Sequence, residues 1–180
     1  VIGVPLGVLA SYNKWYRDIQ NVVLDAMQTL PYFCYLIPVL MFFGGNIVSA
    51  VIATVIYSVP PIIRLTALGL SQVSGGYSEV SKSFGGTGIQ TLNKVKFPLA
   101  VPSLVMGFNQ TVIMAFAMQI VTPLIGGKGL GLQVFNALQR SDTGRGLSAG
   151  LAIVLLAIII DRITHAWTKK QRQALGLDQS

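Results

Sequence analysis

The sequence predicts an all-α protein, a polytopic bundle of membrane-spanning helices. Of its 180 residues 52% are hydrophobic and 11% charged, with a mean hydropathy of +0.64; this is more apolar than a soluble chain of that length. The apolar residues gather into about five long runs, and a helix needs roughly 20 residues to cross a bilayer. Charged residues stand mainly between the runs.

Taken in order, Val1 to Ala10 reads as the second half of a first span. No charged leader precedes its apolar run, so the chain is expected to continue before Val1 and the count of spans is a lower bound. Ser11 to Gln20 is expected as a polar loop carrying Lys14, Arg17 and Asp18. A second span opens at Asn21 or earlier and runs to Phe43 through Pro31 and Pro38. Gly44, Gly45 and Asn46 make an uncharged turn into the third span, Ile47 to about Leu70, which Pro60 and Pro61 interrupt. A polar island lies between Gly76 and Pro102, followed by a fourth span from Val101 to about Ile125. A glycine-rich stretch then leads to the last span, Leu147 to Trp167, and to a polar, basic tail. Gly3 with Gly7, and Gly146 with Gly150, have the spacing of close helix packing.

Net charge is +7 and the isoelectric point about 9.8. The basic residues are scattered at segment ends with no stripe interleaved with aromatics, which argues against nucleic-acid binding. Alternation of the spans puts Lys128, Arg140 and Arg145 on one side and the remainder of the 13 Lys and Arg on the other. The richer side, holding the island and the tail, is expected to be cytoplasmic. One cysteine, Cys34, excludes an intrachain disulfide and is expected as a buried thiol. Neither GGTG at Gly85 to Gly88 nor GGKGLG at Gly126 to Gly131 fits the phosphate-binding pattern G-x-x-x-x-G-K-[ST]. One His, one Cys and few acids give no catalytic constellation and no metal site, so the chain is not expected to be an enzyme.

The island, residues 74–98, carries the most local information. Tyr77, Val80 and Phe84 share one face of a helix beginning near Ser78, which puts Glu79 in the first turn, where the helix dipole favours a carboxylate. Gly85 and Gly86 stop that helix. Thr87 and Gln90 form a capping box for a second short helix with Ile89, Leu92 and Val95 on one side, ended by Pro98. Helices this short are unstable alone and cannot span, so their apolar faces need a protein surface. The physics leaves two readings open: a loop folded back on its own bundle, or a docking element for a separate soluble subunit.

Glu79-Val80-Ser81, three residues, Gly85, nine residues, then Val95-x-Phe97-Pro98 resembles the cytoplasmic signature of permease subunits of binding-protein-dependent ABC importers. That signature usually reads Glu-Ala-Ala, Gly and Ile-x-Leu-Pro; the departures here keep the helix-Gly-helix plan. LDAMQTLP at Leu24 to Pro31, PPIIRLTALGL at Pro60 to Leu70 and FNQT at Phe108 to Thr111 are similar to permeases for glycine betaine and related quaternary amines. The resemblance covers nearly the whole chain and implies a type I permease fold of the methionine-importer kind, as one domain over 1–180. It implies an inner-membrane location, cytoplasmic ATPase subunits that hold the ATP and Mg, an extracytoplasmic substrate-binding protein and a second permease copy, with no cofactor on this chain. It also assigns Tyr77, Glu79, Val80, Ser81, Lys82, Ser83, Phe84 and Gly85 to coupling with the ATPase. The alternatives are a permease for another small solute, such as methionine or an inorganic ion, and a self-contained channel or secondary carrier.

Polar residues at membrane depth are costly and mark functional candidates. Gln28 and Pro31 in the second span, and Asn109, Gln110 and Gln119 in the fourth, either line a pathway for a zwitterion or bond helices together. Asp25 and Arg64 have opposite charge and similar depth, which predicts an ion pair. Asp161 and Arg162 are expected at the membrane interface, as are His165 and Trp167.

Overall fold

The computed structural model describes residues 2–174, and every regular element in them is helical. The part of the expected cytoplasmic tail at 175–180 lies outside the described residues. The elements are α1 (Gly3–Tyr12), α2 (Lys14–Thr29), α3 (Phe33–Phe43), α4 (Ile47–Ser58), α5 (Pro60–Gln72), α6 (Gly75–Ser83), α7 (Gly88–Thr91), a π-turn (Leu92–Lys96), α8 (Phe97–Gln119), a 3-10 turn (Thr122–Ile125), α9 (Leu130–Gln139) and α10 (Thr143–Ala174).

Three helical stretches are long and apolar enough to cross a membrane: Ile47–Gln72, Gly88–Gln119 and Thr143–Lys169. The first joins α4 to α5 through Val59, with Pro60 at the first position of α5, where no intrahelical donor is required. The seam between α5 and α8 is the most extensive in the bundle. Glycines make it close: a Cβ on Gly69 would stand 2.6 Å from that of Ser103, and one on Gly107 3.1 Å from the Ile62 Cα. On the other flank of α5 lies α1, whose Gly7 has no room for a Cβ against Thr66 and the Ile63 carbonyl. The expected packing role thus holds for Gly3 and Gly7. Within the described residues a Cβ on Gly146 would meet that of Ala137 at 3.4 Å, and one on Gly150 would meet open space.

The second span is not one helix. α2 and α3 meet at 95°. Pro31 has no N–H to continue the ladder and pushes the residue before it out of helical geometry, and Leu30 is extended at φ −68°, ψ 131°. The pair counts as a fourth span only if taken together. The Ser11 to Gln20 loop is also mostly helix. Asn13 caps α2, its Oδ1 accepting from the backbone N–H of Trp15 at 3.0 Å and of Tyr16 at 3.4 Å. α2 turns Leu24 to the bundle and leaves Trp15, Val22 and Val23 exposed. Cys34, expected to be buried, is exposed on α3.

Leu36, Val39, Ala50, Ala53, Met118 and Ile125 form a core that binds α3 and α4 to the end of α8 and the 3-10 turn. This core marks one pole of the bundle, where the Gly44–Asn46 turn abuts the loop at Gly126. The fourth span stops at Gln119, short of the expected Ile125, because the chain tightens into the 3-10 turn. The glycine-rich stretch contains α9, which packs on α10. At the other pole the Lys96 ammonium lies 5.6 Å above the Tyr12 ring, tying the π-turn to the corner between α1 and α2.

Candidate coupling surface

The island folds as two short helical pieces that close on each other. Ser74 caps α6, its Oγ accepting from the Gly76 N–H at 3.4 Å. The helix therefore starts at Gly75, before the expected Ser78, and Glu79 falls in its second turn. The helix dipole does not account for Glu79, which is exposed. At the far end the Gly86 N–H donates to the Ser81 carbonyl and the Gly85 N–H to the Lys82 carbonyl, both at 2.9 Å. That pairing is a Schellman closure, and it places Gly85 at φ +77°, as a glycine stop requires.

Thr87 and Gln90 make both bonds of the capping box, Thr87 N–H to Gln90 Oε1 at 2.9 Å and Gln90 N–H to Thr87 Oγ1 at 3.4 Å. The second helix does not end at Pro98. It runs on as α8, making one helix of 32 residues from Gly88 to Gln119. Proline in a regular helix clashes with the carbonyl four residues back. Here the preceding turn widens to π geometry, with the Phe97 N–H donating to the Leu92 carbonyl, and the helix passes the proline.

The Ser81 and Thr91 hydroxyls lie 2.8 Å apart and lock α6 to this long helix. Thr91 is buried; sequence reasoning missed it, although the capping box beside it fixes where its side chain points. Gly86 has no room for a Cβ against the Ser81 carbonyl, 2.7 Å away. The packing partners of α6 are α7 and the π-turn, and none of its residues is buried. Tyr77, Val80 and Phe84 line one wall of an open groove of about 600 Å³, with Gln90, Lys94 and Val95 on the other. Phe84 is 88% exposed and Ile89 74%. Lys82 and Ser83 lie outside the groove and are exposed, with the Ser83 Oγ donating to the Glu79 carbonyl at 3.0 Å.

The pathway candidates are spread along the bundle. Gln28 and Pro31 flank the break between α2 and α3, and Gln110 and Gln119 lie on α8; all four are exposed. Asn109 is buried; its Nδ2 donates to Asp161 Oδ1 at 3.0 Å and its Oδ1 accepts from Thr164 Oγ1 at 2.5 Å. Of the two roles open to it, bonding helices together is the one its contacts serve. Asp161, expected at the membrane interface, faces this seam between α8 and α10, with His165 Nε2 3.5 Å from its Oδ1. The Asp25–Arg64 pair is present at 2.5 Å.

A bundle of long apolar helices with a short helical hairpin at one pole is the architecture of a multi-pass membrane protein. Residues 3–173 match the family described as "Binding-protein-dependent transport system inner membrane component", and the chain belongs to it. It is 45% identical to the "Glycine betaine/carnitine transport permease protein GbuB" of Listeria monocytogenes over 96% of this chain and 61% of that protein. It is 44% identical to the "Glycine betaine/proline betaine transport system permease protein ProW" of Escherichia coli K12, over 96% of this chain and 49% of that one. With the "Osmoprotectant import permease protein OsmW" of Salmonella typhimurium it shares 34% identity, covering 79% of that relative. The chain thus spans about half to three fifths of the glycine betaine relatives. Among solved structures, an inward-facing form of the MetNI methionine ABC transporter superimposes with a TM-score of 0.77 at 22% identity, over 92% of this chain and 85% of that one. This likeness is one of fold, and it agrees with the all-α permease bundle expected from sequence.

Proposed function

We propose that this chain forms the core of the transmembrane permease subunit of an ATP-driven importer for glycine betaine or a related quaternary amine. The carrying observation is the apolar flank of α6, Tyr77, Val80 and Phe84, which the described residues leave exposed. An apolar face left open on a polar segment is suited to another protein, here the cytoplasmic ATPase. The solute class is supported by the names of relatives at 43–45% identity. Residues 1–180 serve as one permease domain, with 74–98 as its coupling loop. A second permease copy completes the pathway, ATP and Mg bind the ATPase, and an extracytoplasmic binding protein delivers the solute. The chain itself holds no cofactor and performs no hydrolysis. Placing α6 and the tail in the cytoplasm of an inner-membrane protein follows the excess of Lys and Arg at that pole.

The proposed transmission runs through α6. When the ATPase pair closes, it pushes on the face of α6 that carries Val80 and Phe84. α6 is locked to Thr91 through Ser81, and Thr91 belongs to the same continuous helix as Gln119. A helix resists compression along its axis, so the push tilts α8, and α5 moves with it through their glycine-lined seam. Such rocking converts a closure below into a change of access above.

The test is uptake of labelled glycine betaine by the complete transporter in proteoliposomes. ATP-dependent uptake that is lost with the Gly85→Pro variant, together with solute-stimulated ATP hydrolysis, is expected. Flux by the permease alone without ATP, or hydrolysis still stimulated in Gly85→Pro, overturns the reading.

A further inference from the structure

The GGKGLG segment, Gly126 to Gly131, binds no nucleotide by pattern and plays no part in coupling, yet its backbone is held tightly. Gly126 has φ +92°, and a Cβ there would stand 2.7 Å from the Asn46 nitrogen; one on Gly127 would stand 2.7 Å from the Thr122 carbonyl carbon and its Oγ1. Gly131 abuts the Gln119 carbonyl with no room for a side chain, and Gly129 has φ +100°. Glycine is the residue that permits both the positive φ angles and the close approach. The loop is thereby pressed onto the end of α8 and the turn before α4, and of the two side chains it carries between those glycines, Lys128 and Leu130, Lys128 is the charged and exposed one.

Lys128 borders a cleft of about 180 Å³ between α4 and the end of α8, with Gln119, Thr54 and Thr122 as its other polar residues and Val51 and Val55 on its apolar side. The two threonine hydroxyls are engaged, Thr54 with the Ala50 carbonyl at 2.8 Å and Thr122 with the Gln119 carbonyl at 3.2 Å. Neither the Lys128 ammonium nor the Gln119 side-chain amide has a hydrogen-bond or ion-pair partner among the described residues. Among the described residues no carboxylate borders the cleft. Its volume is below that of a drug-sized pocket and suits a solute of few heavy atoms.

We propose that Lys128 and Gln119 form a subsite at the pole opposite α6 that receives the carboxylate of the transported solute. This rests on the importer reading above. An ammonium and an amide N–H donate two bonds to one carboxylate, the first charge-assisted. Lys128 repels the methylated cationic end of a zwitterion, which turns toward the Val51 and Val55 wall, where its methyl groups meet apolar surface. The solute would then enter carboxylate-first against a fixed charge. Because the loop is held by backbone contacts, the base of the Lys128 side chain is fixed, and only its stem has to be ordered on binding.

The experiment uses the complete transporter with its binding protein in proteoliposomes, comparing wild type with Lys128→Met, Lys128→Arg and Gln119→Leu. Docking affinity of the binding protein and the dependence on anionic lipid are measured alongside uptake of glycine betaine. Loss of one charge-assisted bond predicts uptake reduced about tenfold or more in Lys128→Met, largely restored in Lys128→Arg and reduced less in Gln119→Leu. Docking affinity and lipid dependence should be unchanged. Uptake unaffected by Lys128→Met overturns the subsite. So does a loss that follows docking affinity, which would make Lys128 a contact for the binding protein, or one confined to vesicles with anionic lipid, which would make its ligand a headgroup phosphate. Wild-type complex that takes up no glycine betaine refutes the importer reading instead, and the subsite falls with it.

Discussion

Arg64 donates from its Nη2 to Asp25 Oδ1 at 2.5 Å, and this pair joins α2 to α5 across a separation of 39 residues in the chain. The Arg64 Nε is buried and lacks a partner, so Asp25 is the anion that compensates the guanidinium. Both side chains keep some exposure, 38% for Arg64 and 63% for Asp25, which limits the worth of the bond. Asp25→Asn should cost about 1 kcal/mol, as partly exposed pairs do. Thermal unfolding of the detergent-solubilised protein, read as a double-mutant cycle with Arg64→Gln, measures it; a coupling of zero would show that solvent already screens the pair.

Glycines with the same spacing should respond differently to a side chain. Gly7→Val places a branched group into Thr66 and the Ile63 carbonyl, and overpacking of this kind costs about 1–3 kcal/mol. Gly150→Ala meets open space inside α10 and should not lower the melting temperature, since alanine is the better helix former. Equal effects at the two positions would contradict the packing described here.

Gly85→Ala retains the fold of the bundle but strains a left-handed residue by about 1–2 kcal/mol. Since α6 is held only by its neighbours in the hairpin, the strain is relieved by loosening that hairpin. Solute-stimulated ATP hydrolysis should fall, while Gly85→Asn, which tolerates the left-handed region, should preserve more of it.

Phe84→Asp should abolish association with the ATPase without altering helix content. An aromatic side chain exposed when alone and covered in a complex is the kind of residue whose loss costs about 2 kcal/mol or more in binding. Co-purification of the two subunits and far-ultraviolet circular dichroism separate the two effects. Undiminished co-purification would remove Phe84 from the interface.

Much of the candidate surface was legible in the sequence because its determinants are local. The Thr87–Gln90 capping box, the Gly85 stop and the Tyr77, Val80, Phe84 stripe each depend on residues within a turn or two of one another. What was misread depends on longer context. Pro98 looks like a terminator, and only the widened turn before it shows how the helix continues. Pro31 and Pro38 look alike in sequence, yet Pro38 sits inside α3 while Pro31 accompanies a 95° break. Cys34 lies in an apolar run, but a membrane-facing helix exposes apolar residues as readily as it buries them. Asn109 could be separated from Gln110 only once α10 brought Asp161 and Thr164 to it.

The widened turn at Leu92–Lys96 amounts to one residue inserted in an otherwise regular rod. Removing a single residue there would restore ordinary pitch and swing everything before it by about 100° around the α8 axis. The compass bearing of Phe84 relative to the membrane bundle is therefore fixed by how many residues lie in that turn, so a one-residue deletion that leaves every side chain of α6 intact would aim the hairpin away from whatever binds it.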